Sequence, residues 1–454
     1  MKLIDKDTEL TVDYIQKIIA KHESEVRPQL KKLKEYYVAN HTIDRRILAD
    51  TTKPNNKLAN PYGNYITDMF VGYFVGEPVG YKSNDKSALE TLQMIFTYND
   101  EQDHNSELAK NASIYGRAYE LLYNDSDKSI RFKVIESDSV IMIYDNSIEE
   151  ELLYAIRYFS YYSIEKDDNE TIVEVYGRDN VKVYKGHYLN EGLTLINEYE
   201  HFFGQVPIVE YRNNDDMLGD FELVVSLIDA YDKLESDSLN DFEYFCDAYL
   251  VLTGVVLDQE DVKGMKENRI ILMPDGAGKA EWLIKQGDDA QVESLKTRID
   301  ADIHKFSKCP ALTDEQFSAN ASGVAMRYKL TGMENVAAIK ERKFKRGIQR
   351  RIELISNILD IKNNDKFDWR AIEIVFTRNL PTNEDELANT INKLRGMVSN
   401  ETLISLLPFV EDVQKELEKL QKENEINVFT SFDDEEVDDE LLDETPRTDS
   451  GQEL

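Results

Sequence analysis

The side chains of this chain that could do chemistry include a glycine-rich turn and a histidine pattern. Gly276-Ala277-Gly278-Lys279 partly matches a phosphate-binding loop, but Met273 stands where that motif has its first glycine. Ala280 follows the lysine, so the hydroxyl that would bind magnesium is missing, and a plain turn is favoured. His22-Glu23 begins like a zinc-binding helix, yet Val26 occupies the place of the second histidine. Neither motif predicts a bound nucleotide or zinc ion.

The other reactive side chains do not form the pattern of a catalytic or metal site. Cys246 and Cys309 make no Cys-x-x-Cys pair, and no Gly-x-Ser-x-Gly elbow is present. Carboxylates are so numerous that any pair of them is weak evidence for acid/base chemistry. We therefore expect no enzyme, no metal and no other cofactor. The histidines, expected in the core or in solvent without metal-ligand spacing, are His22, His41, His104, His187, His201 and His304.

The net charge of −34 limits the kinds of partner that this chain can bind. Residues 432–454 hold eleven acidic side chains and Arg447 alone as a base, so they carry −10 and the rest carries −24. A body this acidic repels phosphate, which disfavours general nucleic-acid binding but allows a protein that lets DNA pass without sticking. The acidic end predicts a disordered tail over 431–454. The apolar pattern predicts neither a signal peptide nor a membrane span.

Helical periodicity dominates the region after residue 215. It predicts helices over Gly219 to Ala248, Asp288 to Lys308 and Val324 to Leu359, the last perhaps kinked near Gly332 and Gly347. Two helices joined across a polar hinge, beside an acidic helix, suggest a channel or a lever more than a substrate pocket. The acidic face is either a solvated helix surface or a functional one. Its side chains, accompanied only by Lys233, are Asp220, Glu222, Asp229, Asp232, Glu235, Asp237, Asp241 and Glu243.

The remaining pattern predicts an α+β fold that is predominantly helical. Helices are expected over Val12 to Asn40, Asn64 to Val75, Glu90 to Ser113 and Glu384 to Asn424, and a strand over Phe367 to Thr377. Short Val/Ile/Tyr-rich runs separated by Asn/Asp/Gly turns predict one antiparallel β region. Those runs are Ala118 to Tyr123, Ile130 to Ile135, Val140 to Tyr144, Leu152 to Tyr161, Glu170 to Tyr176, Asn180 to Tyr184 and Leu193 to Glu198.

A cluster of bases interrupts the acidic composition of the long helix. In so acidic a chain, these side chains are expected to pair with carboxylates of their own or a neighbouring subunit, and nucleic-acid contact is the alternative. The cluster consists of Lys340, Arg342, Lys343, Lys345, Arg346, Arg350 and Arg351.

An ordered set of short segments resembles the portal proteins of tailed phages, of the type found in long-tailed phages of Gram-positive bacteria. The set spans roughly Asn60 to Leu330, and the order of elements continues to about Asn424. The segments are Asn60-Pro61, Tyr65-Ile66-Thr67, Phe74 to Val79, Tyr115 to Tyr119, Gly204 to Val209, Ser226 to Asp232, Ser236-Asp237, Asn240 to Glu243, Ser322 to Ala325 and Arg327 to Leu330.

The resemblance implies a portal fold with wing, stem, clip and crown, assembled as a ring around a central tunnel, with about twelve or thirteen subunits. It implies a wing over 1–214, a first stem helix over 215–248, a clip over 249–287 and a second stem helix over 288–308. It further implies a tunnel loop over 309–323, a long helix and the rest of the wing over 324–383, and a crown over 384–430.

The resemblance also implies which side chains face the DNA. The expected tunnel-loop set is Asp314, Glu315, Gln316, Phe317, Ser318 and Asn320. The expected acidic stem face, which would repel the backbone of a sliding duplex, is Asp220, Glu222, Asp229, Asp232 and Glu235. Lys305 and Lys308 are candidates for weak DNA contacts, and capping of the helix C-terminus is an equal alternative.

The implied partners are other copies of this chain, double-stranded DNA bound without sequence preference, the terminase large subunit, a head-completion (connector) protein, and the major capsid and scaffold proteins. The implied location is the capsid vertex of a virion made in the host bacterial cytoplasm, with no membrane partner. Two other classes stay open: a non-phage acidic adaptor or scaffold protein, and an enzyme with an unrecognised carboxylate site.

Overall fold

The computed structural model divides into two compact units, Met1–Asn379 and Leu380–Leu454. The described residues are 2–6, 8–51, 53–164, 167–187, 192–246, 249–253, 279–283, 289–311, 323–363, 366–379, 384–407, 410, 413 and 416–423. Helices and strands are mixed within the first unit, which confirms the α+β class.

The helices agree with the predicted periodicity over most of the chain. In the first unit they are α1 (Val12–Glu25), α2 (Arg27–Tyr37), α3 (Tyr62–Val75), α4 (Lys86–Tyr98), α5 (Glu101–Tyr115), α6 (Val225–Cys246), α7 (Asp289–Ser307) and α8 (Gly323–Asn363). In the second unit they are α9 (Glu384–Leu394) and α10 (Asn400–Ser405).

The prediction of one helix from Val12 to Asn40 is wrong, because the chain breaks between α1 and α2. Pro28 has no backbone N–H to donate to the carbonyl four residues earlier, and its ring opposes continuation of α1. At the other end of α1, the side chain of Thr11 accepts a hydrogen bond from the backbone N–H of Tyr14 at 3.4 Å.

The strands form two larger sheets and two small pairs. Their bounds are β1 (Lys2–Ile4), β2 (Gly80–Lys82), β3 (Arg117–Asn124), β4 (Ile130–Ile135), β5 (Val140–Asp145), β6 (Leu152–Ser163), β7 (Asp168–Tyr176), β8 (Asn180–His187), β9 (Gly192–Glu200), β10 (Ile208–Arg212), β11 (Tyr249–Thr253), β12 (Lys279–Leu283) and β13 (Glu373–Val375).

The single antiparallel β region that the sequence predicts is two sheets in the structure. One has the strand order β1-β5-β6-β7-β8-β9, with β1 parallel to β5 and the other pairs antiparallel. The other has the order β10-β3-β4. A 3₁₀ turn at Ser137–Ser139 separates β4 from β5 and redirects the chain into the next sheet. The unpredicted strand β10 then returns to pair with β3.

The predicted strand from Phe367 to Thr377 is mostly wrong. Only Glu373–Val375 is extended and paired, as β13 against β2. Trp369–Ala371 form a 3₁₀ turn, because the carboxylate of Asp368 accepts a hydrogen bond from the backbone N–H of Arg370 at 3.0 Å and holds the chain in a turn.

Helix α8 lies close against strand β10. Phe344 and Ile348 on α8 are buried in the largest apolar cluster of the first unit together with Tyr211 of β10. A Cβ at Gly347 would lie 2.5 Å from the ring of Tyr211, so glycine is what permits this close approach. The helix runs as one α-helix through Gly332 and Gly347.

A buried ion cluster joins α8 to α5 and the three-stranded sheet. The guanidinium of Arg351 is fully buried; its Nη1 is 3.2 Å from Oε1 of Glu101 and its Nε is 2.7 Å from Oε1 of Glu120. Oδ1 of Asn105 accepts from both terminal nitrogens of Arg351 at 3.0 Å. Burial alone would raise the pKa of Glu120, but the charge of Arg351 and a hydrogen bond with His104 hold that pKa below its usual value. The cluster therefore keeps its charges inside the protein.

Replacing Arg351 should strongly destabilise the first unit. In Arg351→Met, Glu101 and Glu120 stay buried without their cation, and such uncompensated burial typically lowers the free energy of unfolding by about 3–5 kcal/mol. Urea unfolding followed by circular dichroism measures the change. The matched control is Arg350→Met, since Arg350 is partly exposed and pairs with Glu353 on the same helix at 2.9 Å. That variant should lose less than about 1 kcal/mol. Equal, small losses in both variants would contradict the assigned role of the cluster.

Candidate functional site

Helices α6 and α7 form an antiparallel pair. Nζ of Lys296 on α7 lies 3.2 Å from Oε1 of Glu235 on α6. One helical turn further along α7, Asp300 accepts a hydrogen bond at 2.5 Å from Tyr62, whose ring packs edge-on against Tyr231 of α6. Burial and the carboxylate of Asp300 raise the pKa of Tyr62 well above its ordinary value, so this phenol stays a donor. The base of α3 therefore fixes the pair to the body of the first unit.

The predicted acidic stem face is wrong at Asp232, which is fully buried. Its Oδ1 accepts from the backbone N–H of Asn60 at 2.8 Å and from the side-chain amide of the same residue at 2.9 Å. Its Oδ2 lies 2.6 Å from Nδ1 of His41. The carboxylate is therefore a structural acceptor for the loop that precedes α3.

The prediction is also wrong at Asp220, whose side chain is only 3% exposed. Asp220 pairs with Lys340 of α8 and accepts from the side-chain amide of Asn213 at 2.9 Å and from the hydroxyl of Ser113. An exposed acidic face cannot include these two carboxylates, because both are needed to satisfy donors inside the protein.

The other three predicted stem carboxylates also bind partners in their own chain. Glu222 accepts from the backbone N–H of Gly219 at 2.9 Å, and Glu235 pairs with Lys296. Asp229 accepts from the hydroxyls of Tyr36 and Thr42. The hydrogen bond to Asp229, together with burial, raises the pKa of Tyr36 to about 12. The polar face of α6 is thus largely a binding surface for residues 36–60, and its role toward DNA stays a prediction for these three.

His41 is the histidine that this interface holds in a charged form. Nδ1 faces the carboxylate of Asp232, while Nε2 lies 3.2 Å from the backbone carbonyl of Tyr36. Both neighbours are acceptors only, so each ring nitrogen must donate a proton, which is possible only in the imidazolium. Burial alone would lower the pKa of His41, but the hydrogen bond to Asp232 outweighs burial and raises it.

The foot of the predicted tunnel loop is anchored before the loop begins. The backbone carbonyl of Cys309 lies 3.0 Å from Nδ1 of His304, and the carbonyl of Pro310 accepts from the hydroxyl of Tyr65 at 3.0 Å. Cys309 is fully buried, which raises the pKa of its thiol to about 12 and keeps it unreactive. Burial lowers the pKa of Lys340 next to it, against the opposing pull of Asp220.

The predicted DNA-facing lysines both lie at this foot and are exposed. Lys305 is on the last turn of α7, and Lys308 follows it with a left-handed φ of 61°. Neither has a carboxylate partner within the described part of the chain. Arg298, two helical turns before Lys305, is exposed on the same face of α7, a basic position that the sequence reasoning missed.

The basic cluster of α8 mostly pairs within the chain, as one of the two predictions held. Lys343 pairs with Asp215, Lys345 lies 2.8 Å from Glu341, and Arg350, Arg351 and Lys340 have the partners given above. Arg342 and Arg346 are exposed, and no carboxylate among the residues described lies within ion-pair distance of them.

The six predicted tunnel-loop side chains, Asp314, Glu315, Gln316, Phe317, Ser318 and Asn320, lie outside the described residues. So do residues 254–278 of the predicted clip, with the glycine-rich turn at 276–278. Within the described ranges, no group of three His, Cys, Asp or Glu side chains could hold a metal ion. The helices described there include none that is long and apolar enough to span a membrane.

The buried histidines confirm the expectation of core positions at His22, His41, His104 and His201. Sequence reasoning missed their common role as hydrogen-bonding partners of buried polar groups. His22 contacts the hydroxyl of Tyr158 at 2.7 Å, and His104 contacts Glu120 at 2.8 Å.

Comparison with known proteins gives consistent matches. The family model described as phage portal protein, SPP1 Gp6-like, matches residues 16–428. The portal protein of Bacillus phage SPP1 is 26% identical over an alignment that covers 95% of this chain and 91% of that protein. The portal protein of Clostridium phage phiCD119 is 23% identical, with coverages of 91% and 96%. Among solved structures, a chain of "Neck of empty GTA particle computed with C6 symmetry" is similar with a TM-score of 0.44 and 12% identity, over 79% of this chain and 89% of that chain.

The charged state of His41 predicts a stability that falls at alkaline pH. A raised folded-state pKa contributes stability that is complete below the unfolded pKa of about 6.5 and is lost as pH rises through the folded value. The wild type should therefore lose stability above pH about 6.5 relative to His41→Gln, whose side chain does not titrate. The measurement is the free energy of unfolding of both proteins from pH 6 to 9. A difference that stays constant over this range would show that His41 is not the titrating group.

Proposed function

We propose that this chain, which belongs to the SPP1 Gp6-like family of phage portal proteins, forms the ring-shaped channel at one capsid vertex through which double-stranded DNA is packaged and ejected. The observation that carries the proposal is the family match, which extends over residues 16–428 and so includes both helices of the α6–α7 pair and all of α8. The role is that of a conduit and a docking surface, and we assign the chain no catalytic step and no cofactor.

We assign the parts of such a ring to elements of this chain. Helices α6 and α7 form the stem, and residues 249–287 between them, which include β11 and β12, form the clip. Residues 309–323 form the tunnel loop, and α8 continues from it. The sheets and α1–α5 form the wing with the remainder of 324–383, residues 384–430 form the crown, and residues 431–454 form an acidic tail.

The DNA path runs past the foot of the loop. Lys305, Lys308 and Arg298 give each copy a small number of exposed bases there, in a chain whose other bases are mostly paired. Each Lys or Arg contact to phosphate adds a salt-dependent hold on the duplex, so few contacts favour sliding. In the loop, Asp314 and Glu315 repel phosphate, while Phe317 is the bulky side chain available to press on a groove.

The partners follow from the same assignment. Other copies of this chain, about twelve or thirteen in total, close the ring, and duplex DNA passes through it without sequence preference. The clip docks the terminase large subunit during packaging and a head-completion protein afterwards. The wing and crown lie among the major capsid and scaffold proteins of the virion, after synthesis in the host bacterial cytoplasm.

Ring formation can be tested directly on the purified full-length protein. Electron-microscopy class averages and native mass spectrometry should give a closed ring of about a dozen subunits whose central hole admits duplex DNA. Where the protein alone stays monomeric, the same measurement is repeated with its scaffold and capsid proteins. Failure to form rings in both settings would overturn the proposal.

Shortening the loop should separate assembly from DNA handling. Deletion of Gln316 to Ala321 removes the predicted DNA-facing segment but leaves α6, α7 and α8 intact, so rings should still form. Packaging or retention of DNA, measured as nuclease-protected genome per particle, should fall. A same-length Gly/Ser replacement of these six residues is the control for the effect of length alone. Normal phage yield from the deletion would contradict the loop assignment.

A further inference from the structure

An apolar patch remains uncovered on the outer side of the α6–α7 pair. Leu223, just before α6, is 71% exposed, and Phe306 at the end of α7 is 53% exposed. On α6 the patch continues with half-buried side chains at intervals of four, three and four residues, which places them on one helix face. On α7 it includes Val292 and Leu295, which are 37% and 46% exposed. The half-buried members of the patch are Leu227, Ala230, Leu234 and Ile299.

The two halves of this patch lie at the same level. Because Glu235 contacts Lys296 and the helices are antiparallel, residues twelve positions before Glu235 and ten positions after Lys296 lie near one end of the pair. Leu223 and Phe306 are therefore at about the same height. Singly exposed apolar residues need no explanation, but a contiguous set marks an interaction surface.

A second uncovered surface runs along α8. Tyr328 is 78% exposed and Ile339 is 41% exposed. Asn335, Arg342 and Arg346 are exposed as well, and the spacing of all five is a multiple of about one helical turn. The two arginines are the members of the basic cluster for which no described carboxylate is in reach. This surface is therefore apolar along one part and positively charged at its C-terminal part.

The two surfaces are electrically complementary. Helix α6 contains six carboxylates and a single lysine, whereas α8 contains ten bases and four acids. One helix cannot neutralise the other fully within a copy, because Arg342 and Arg346 point to solvent. Opposite charge on two different faces of one molecule favours head-to-tail contact between copies, which closes into a ring when the rotation allows it.

The heights of the two surfaces also agree. Asp220 pairs with Lys340, and a Cβ at Gly332 would lie 3.6 Å from Cβ of Lys308. Residues 332–340 of α8 are thus level with the Leu223–Phe306 end of the α6–α7 pair. Copies related by rotation about one axis meet at equal heights along that axis, so these surfaces can meet.

We infer that the Leu223–Phe306 patch of one copy packs against the Tyr328–Arg346 stripe of α8 in the next copy. The inference rests on the proposed function, since it names the faces that join subunits in the ring. The apolar side chains form the dry centre of this contact, and Arg342 and Arg346 face the acidic α6 of the neighbour.

Charge placed in the patch tests the inference. The double variant Leu223→Glu, Phe306→Glu should be monomeric under the native-mass conditions in which the wild type forms rings. Its circular dichroism spectrum should be unchanged, because both side chains are exposed in a single copy. Ile148→Glu is the matched control, since Ile148 is fully exposed elsewhere and its variant should keep the ring. Wild-type rings from the double variant would overturn the inference and leave the proposed function standing.

A crosslink gives an independent readout that does not require loss of assembly. Leu223→Cys combined with Ile339→Cys should, after mild oxidation, give a ladder of disulfide-linked multimers on a non-reducing gel. Each single variant should stay largely monomeric on the gel. Absence of the ladder from a sample that contains rings would overturn the inference. A ladder from a sample that never closes into rings would support these contact faces while the proposed function failed.

Discussion

The first unit depends on a cation that is buried where three of its elements meet. Arg351 of α8 touches Glu101 of α5 and Glu120 of β3, with no water-accessible surface on the guanidinium. Removing such charges from water is expensive, and it is offset only when the geometry satisfies nearly every donor and acceptor. Tyr211 of β10 completes the shell by donating to Glu120 at 2.7 Å. A shift of α8 by one residue would leave these groups unpaired, so the cluster fixes the position of the long helix along the sheet.

That fixed position is carried to the channel helices by a second buried cation on the same helix. Lys340 lies eleven residues before Arg351, which is three turns of α-helix, so the two side chains project from nearly the same face about 16 Å apart. Lys340 holds Asp220 at the entrance of α6 and lies beside Cys309 at the end of α7. Because one rigid helix carries both contacts, the foot of the loop is positioned relative to the sheets. In a portal, this arrangement joins the wing to the stem without a flexible hinge between them.

How far the sequence predicts this structure depends on what each pattern measures. Periodicity located seven strands and most helices, since period 2 and period 3.6 report burial directly. It failed at Pro28, where loss of one donor breaks a helix whose apolar pattern continues. It also failed on the face of α6, because a polar helix face looks the same whether water or another polar segment covers it. Asp232 is the clearest example: only the fold shows that the backbone of Asn60 and the ring of His41 lie over it. Arg351 had the same ambiguity among seven neighbouring bases.

The pairing of those bases bears on how a channel can be positively charged in places and still release DNA. Most Lys and Arg side chains of α8 are neutralised by carboxylates of the same copy, and the buried ones hold elements together instead of meeting phosphate. The exposed bases at the foot of the loop are few, while the body as a whole carries −24 outside its tail. Every phosphate contact that a ring makes is repeated by each subunit, so even one added lysine per copy multiplies the salt-dependent hold on the duplex. A conduit that must release its DNA therefore gains from placing its cations inside the fold, where they stabilise the ring subunit and stay out of reach of the passing backbone.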